Sequence, residues 1–349
     1  MAAALKGARA FSSPLPEHKP LKRLLGSIVD CVPRGLAQPL LAKAALLPPL
    51  LKSARLERFW ARMARNAGEQ TRLIETNLGI AGRVRCAIPI RKSQYVFGCP
   101  KNHLAERSTL CLAEELSKDC AHFLDVGANE GVFTFSVFVA RNHSIAVHWF
   151  EPDKAVSDRL AANLRRNGIE AVGNTSAASD KTGQVTFYRN LTDDASGSLS
   201  TYFGNKHTLK PEVVNSIRLT DYIDAGQISR ALVKVDVEGA ATQVWSGLRE
   251  SYEKISYLII EMIAPDIENG LPAQIIRQTG WRAYYIQDFE LIQSVDGEFE
   301  YIEPFWNWLF CGLEPTALAQ CLSGTKFQIV GAPIKIRTMP VRRPLSGPS

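Results

Sequence analysis

Residues 123–133 read FLDVGANEGVF, an apolar run that ends on an acid, Asp125, and opens into a turn bracketed by Gly127 and Gly131. Such a run followed by a glycine turn and an apolar helix is the first strand–turn–helix of an α/β unit. In an open parallel sheet the ligand lies beyond the carboxyl ends of the strands, where the strand order reverses, and this first turn belongs at that place.

Working outward, HFLDV predicts a strand, EGVFTFSVFVARN a helix, IAVHWFEP a strand, DKAVSDRLAANLRRNG a helix closed by glycine, and IEAVGNTSAAS a third strand. GQVTFYRN predicts an inserted hairpin, and residues 191 to about 216 a polar loop. The pattern resumes with ALVKVDVEG, a helix through TQVWSGLRE, the strand YLIIEM, a helix near PAQIIRQTG, and the strands WRAYYIQ and WNWLFCGL. Strands alternating with helices imply a mostly parallel sheet covered on both faces, here of seven strands. The two closing strands suit an antiparallel edge hairpin.

Upstream, ERSTLCLAEELSKD predicts a helix, and RVRCAIPIRKSQYVFG alternates like a pair of strands. Residues 1–70 hold twelve Lys or Arg against four Asp or Glu, more than the excess of the whole chain, whose net charge is +6. This basic, Pro-interrupted segment reads as an extension, partly helical or disordered. Its one helix, RLERFWARMARNAG, either packs on the main domain or lies on an anionic membrane surface or nucleic acid. Residues 71–332 form the expected domain and 333–349 a loose, basic, Pro-rich tail. No apolar run reaches transmembrane length, and seven cysteines without a CxxC pair suit reduced thiols in the cytoplasm. No zinc site is legible, though two carboxylates two positions apart, Asp236 and Glu238, could ligate Mg²⁺. The core has no interleaved aromatic and basic groove motif, so nucleic acid is not the expected partner.

The turn is compatible with more than one ligand. Its spacing is G-x-x-x-G, not the G-x-G-x-x-G that brings three glycines against a pyrophosphate. Asn129 is placed to cap the helix and Glu130 to occupy its first turn, where a negative charge would repel a phosphate. Glu151, ending the second strand, is placed to accept both hydroxyls of a ribose. A cationic nucleoside, S-adenosylmethionine, meets these conditions; a packing turn without a ligand is the alternative. In LVKVDVEGA, alternation puts Lys234 and Asp236 on one side of a strand with Glu238 following, and Glu261 ends the next strand. The group is either an acid/base site or a structural Lys–Asp pair. The loop from 191, with Ser198, Ser200, Tyr202 and His207, is suited to covering an acceptor.

DVGANEG, FEP at 150–152, SDKTG at 179–183, GSLS at 197–200, and above all KVDVEG followed by IIEM, resemble the FkbM-type S-adenosylmethionine-dependent methyltransferases over roughly residues 100–290. The resemblance implies a class I methyltransferase, Rossmann-like fold with S-adenosyl-L-methionine as cofactor. Asp125, Gly127, Asn129, Gly131, Glu151 and Asp180 would lie at the cofactor. Asp236, Glu238 and Lys234 would carry catalysis, and Ser198, Ser200, His207 and Glu261 would face a small-molecule or glycan acceptor, methylated on a hydroxyl. The family usually has a Glu shortly after EG, where this chain has Ala241. A nicotinamide-linked oxidoreductase and a catalytically silent binding module are the rival readings.

Overall fold

A computed structural model of the chain describes residues 73–77, 85–89, 104–191, 197–202, 208–294 and 307–331. The basic extension with its expected helix, His207 and the tail from 333 lie outside the described residues. Strands β1 (Leu73–Asn77) and β2 (Arg85–Pro89) pair antiparallel, so RVRCAIPIRKSQYVFG contributes one described strand, whose partner comes from upstream. The α/β core then runs α1 (Leu104–Leu116), β3 (His122–Val126), α2 (Val132–Ala140), β4 (Ala146–Phe150), α3 (Lys154–Arg166) and β5 (Val172–Asn174). The carboxamide of Asn163 on α3 accepts the Ala87 N–H at 2.9 Å and donates to the Ala87 carbonyl at 3.1 Å, which ties β2 to this core.

After β5 the chain leaves the main sheet. Strands β6 (Ala177–Ser179), β7 (Gly183–Asn190) and β8 (Leu209–Arg218) form a separate sheet in the order β6-β8-β7. Two expectations are corrected here. IEAVGNTSAAS is two strands in two sheets, and the loop after residue 191 ends at Leu209, where β8 begins. The polar residues of β8 misled because Lys210, Pro211, Val213 and Asn215 are exposed, so only part of the strand carries a core signal.

The chain returns through α4 (Leu219–Ala225), β9 (Ala231–Val235), α5 (Ala241–Leu248), β10 (Ile255–Glu261), α6 (Ala264–Glu268), α7 (Leu271–Thr279), β11 (Arg282–Gln287), β12 (Glu290–Gln293), β13 (Asn307–Cys311), α8 (Pro315–Cys321) and β14 (Gln328–Val330). The main sheet has the order β14-β12-β11-β13-β10-β9-β3-β4-β5. Its half from β5 to β10 is parallel. Strand β13 runs antiparallel between β10 and β11.

The α/β, Rossmann-like class therefore holds, but the sheet has nine strands instead of seven. The closing pair, β11 and β13, is antiparallel as expected yet not at the edge, because β12 and β14 continue the sheet beyond it. Both faces are covered. Phe123, Leu232 and Ile259 pack with α1, α2 and α3 on one side, and Leu124, Val233 and Leu258 with α4, α5 and α7 on the other. Double coverage explains why every residue of β9, Lys234 included, is buried. The strand order reverses between β3 and β9, which sets a crevice beyond their carboxyl ends. Among the described residues no helix is long and apolar enough to cross a membrane.

Candidate active site

The crevice is built by backbone contacts. The Gly127 and Ala128 N–H groups both donate to the Phe150 carbonyl at 3.0 Å, and the Asp236 N–H donates to the Val126 carbonyl at 2.9 Å. Gly127 has φ +81°, and a Cβ there would lie 1.8 Å from the Asp236 carbonyl oxygen. The glycine therefore lets the turn press against the end of β9, which joins the two motifs singled out in the sequence. Gly131, also at φ +81°, serves α3 and not the strand: its Cβ would lie 2.4 Å from Leu160 Cδ1.

The helix entry differs from the expected one. The cap position of α2 is Gly131, and Asn129, at φ +48°, stands before it. The capping carboxylate comes from Asp125, whose Oδ2 accepts the Thr134 N–H at 2.9 Å and the Thr134 hydroxyl at 2.6 Å. Asp125 is turned inward; burial pushes its carboxyl up to about 6 against those hydrogen bonds and the charge of Lys234. Glu130, fully buried, is paired with Arg159 at 2.7 Å instead of standing in the first turn. The Asn129 N–H donates to Glu151 Oε2 at 3.0 Å, and the Asp153 N–H to Glu151 Oε1 at 2.9 Å. These bonds fix the Glu151 carboxylate beside the turn.

The second constellation lies across the crevice. Lys234 is 1% exposed, with Nζ 3.3 Å from Asp236 Oδ2, 3.3 Å from the Val235 carbonyl and 5.0 Å above the Phe133 ring. Lys234, expected to share in catalysis, is thus held against Asp236 at the floor of the crevice. Glu261 ends β10 beside it and is hydrogen-bonded to Asp236. Burial pushes Asp236 up, but the charge of Lys234 and hydrogen bonds from Glu261 and Lys234 outweigh it and hold the carboxyl below its usual range. Burial, the charge of Asp236 and the shared hydrogen bond push Glu261 well above its usual range, with Glu238 adding to the rise. The opposed shifts favour the carboxylate at Asp236 and the protonated form at Glu261, which places the shared proton on Glu261. Asp236, with 27% of its side chain exposed, is the member open to the crevice. Glu238 lies past the strand in a left-handed turn at φ +52°, so strand alternation does not fix its direction.

The loop residues separate. Ser198 Oγ donates to the Val237 carbonyl at 2.9 Å and accepts the Ser200 N–H at 2.9 Å, while Ser198 forms a bridge with Tyr188. Ser198 thus staples the loop to the DVEG turn, and Ser200 lies against Gly239. Asp180, expected at the cofactor, follows β6. It is exposed on the second sheet, beside Gly247 in the last turn of α5, with its carboxylate accepting from Ser179. Ala241 begins α5 and is fully buried. Asn307, opposite Glu261 in the β10–β13 ladder, was not singled out in the sequence. An Asn in an aromatic strand carries no signal until the register is known. Among the described residues no group of three His, Cys, Asp or Glu is placed to hold a metal ion.

A model of the methyltransferase FkbM domain matches residues 125–307, more than half of the chain. No curated protein matches. Among solved structures, the methyltransferase FkbM from Methylobacillus flagellatus is 16% identical over 55% of this chain and 43% of its own, with a TM-score of 0.38. This chain thus spans less than half of that protein's length. A SAM-dependent methyltransferase from Agrobacterium tumefaciens is 11% identical over 60% and 58%, TM-score 0.34. A Pyrococcus abyssi tRNA (uracil-54, C5)-methyltransferase in complex with S-adenosyl-L-homocysteine is 12% identical over 68% and 43%, TM-score 0.35.

Proposed function

The chain belongs to the FkbM methyltransferase domain family, and from that premise we propose that it moves a methyl group from S-adenosylmethionine to a hydroxyl of a sugar, glycolipid or other small metabolite. One observation carries the reading. The Asp236 carboxylate, ionised and open to the crevice, stands on the residue whose carbonyl the Gly127 turn touches, so a base and a cofactor turn share one crevice.

The residues fit this cofactor better than a dinucleotide. A pyrophosphate would want the N-terminus of α2, and Asp125 already occupies it through the Thr134 N–H and hydroxyl. Glu151, fixed by two backbone donors, would accept the ribose hydroxyls. S-adenosylmethionine, when bound, supplies a methyl group on a positively charged sulfur. Asp236 would take the proton of the acceptor hydroxyl as that oxygen receives the methyl group, with Glu238 the alternate base. Lys234 holds Asp236 in place, and the neutral Glu261 fixes its second side by donating to it. Much of the acceleration would come from holding two substrates in line.

Residues 1–70 are proposed to be a peripheral arm that touches anionic membrane, and 71–332 the methyltransferase domain. The docking of β2 on α3 agrees with a domain that begins before β1. A chain starting near Arg55 should still bind cofactor. Calorimetry tests the main reading: S-adenosylmethionine and S-adenosylhomocysteine bind and NAD does not. Binding of NAD with indifference to the other two would overturn it.

A further inference from the structure

At the carboxyl edge of the main sheet, Asp236, Glu261 and Asn307 end or begin three neighbouring strands. Glu261 and Asn307 are direct partners in the antiparallel β10–β13 ladder, so their side chains rise on the same face, the face that also carries Lys234 and Asp236. Asp236 and Glu261 satisfy each other; Asn307 is different. It is 8% exposed, and its Oδ1 is buried with no hydrogen-bond partner among the described residues. An acceptor oxygen withdrawn from water and left unbonded is costly, and replacing it by an apolar group would remove that cost. Its place beside Glu261, in the row that ends on Asp236, gives it a use.

We propose that Asn307 is a specificity-determining residue, whose carboxamide oxygen accepts a hydrogen bond from a second hydroxyl of the acceptor while Asp236 takes the proton of the first. The assignment presupposes the methyl transfer described above. Adjacent strands are about 4.8 Å apart, so two strand spacings separate the backbones of Asp236 and Asn307. A single hydroxyl cannot span them, but a ring with several hydroxyls can. Glu261 between them is bonded to Asp236 and keeps acceptor capacity for a hydroxyl, whereas the Asp236 carboxylate disfavours a phosphate at the same place. The row thus selects for an uncharged polyhydroxylated acceptor.

The experiment uses the full chain, labelled S-adenosylmethionine, and a panel of nitrophenyl pyranosides, each beside its monodeoxy analogues and beside simple monohydroxylic alcohols. The wild type is expected to prefer a pyranoside over one deoxy analogue by about tenfold or more in kcat/KM, as a site built to bind a hydroxyl should. Asn307→Leu and Asn307→Ala should bring that preference to within about twofold, by loss on the parent acceptor, with cofactor affinity unchanged. Asn307→Leu should keep the thermal midpoint, because the buried Oδ1 has no hydrogen bond to lose. Equal preference in wild type and variants, with a lowered midpoint, would make Asn307 a structural residue and overturn the inference while leaving methyl transfer standing. Transfer to monohydroxylic alcohols as fast as to any pyranoside would overturn it likewise. Transfer to nothing in the panel, despite cofactor binding, would overturn the inference and the hydroxyl-acceptor reading together.

Discussion

Removing the ammonium of Lys234 should expose how the site is held. Lys234→Met keeps the length of the side chain and deletes one member of a pair that is 1% exposed on the lysine side and 27% on the aspartate side. Breaking a buried pair by deleting one partner costs about 3–5 kcal/mol. The partial exposure of Asp236 sets the expectation at the lower end, about 3 kcal/mol, including the cation–π contact with Phe133. Asp236→Asn should cost a similar amount, since it leaves the ammonium buried beside a neutral amide. The double variant buries no charge at either position and should lose about 3 kcal/mol in all, a coupling of about 3 kcal/mol. Urea unfolding of the four proteins measures this, provided the slopes agree. Additive losses, or a Lys234→Met cost below about 1 kcal/mol, would refute the pairing and with it the ionised state assigned to Asp236.

Glu151→Ala should weaken S-adenosylmethionine binding about ten- to a hundredfold by calorimetry, with a stability loss of about 1–2 kcal/mol from the Asn129 and Asp153 N–H groups it leaves unbonded. Gly127→Ala should cost about 3 kcal/mol or more in urea unfolding, since its Cβ meets the Asp236 carbonyl and its φ is +81°. His148 lies between His122 Nδ1 at 3.2 Å and the Tyr222 hydroxyl at 2.8 Å, and burial with the nearby His122 lowers it from 6.5 to about 4. Its stabilising contribution is full above pH 6.5 and lost as pH falls toward 4, about 3 kcal/mol in all. His148→Gln should flatten that part of the stability profile relative to wild type. Asp125 and Glu261, both raised, act in the opposite sense, contributing fully below their unfolded values and losing that contribution as pH rises.

Local pattern revealed the half of the molecule in which neighbours in sequence are neighbours in the sheet. Strands β3, β4, β9 and β10 are apolar because both faces are covered, and Asp153 caps α3 where the sequence places a helix start. Long-range pairing was not legible. Nothing local tells β13 to slip between β10 and β11, or Ala177–Ser179 to leave the strand before it for β8. At the site, alternation placed Lys234 beside Asp236, but the inward turn of Asp125 depends on Thr134, three positions into the next helix. Glu130 looked like a helix-end charge because its partner, Arg159, lies a helix away. The same limit hid Asn307, whose meaning comes from Glu261 across the ladder.

Methyl transfer by Asp236→Asn, measured with labelled S-adenosylmethionine and expressed per folded molecule, tests the central claim most directly. The substitution keeps the shape of the side chain and its hydrogen bond with Glu261 while removing the base. Turnover should fall about 10²- to 10⁴-fold with cofactor affinity nearly unchanged. Turnover per folded molecule equal to that of the wild type would contradict the account and leave Asp236 as the structural partner of Lys234 alone.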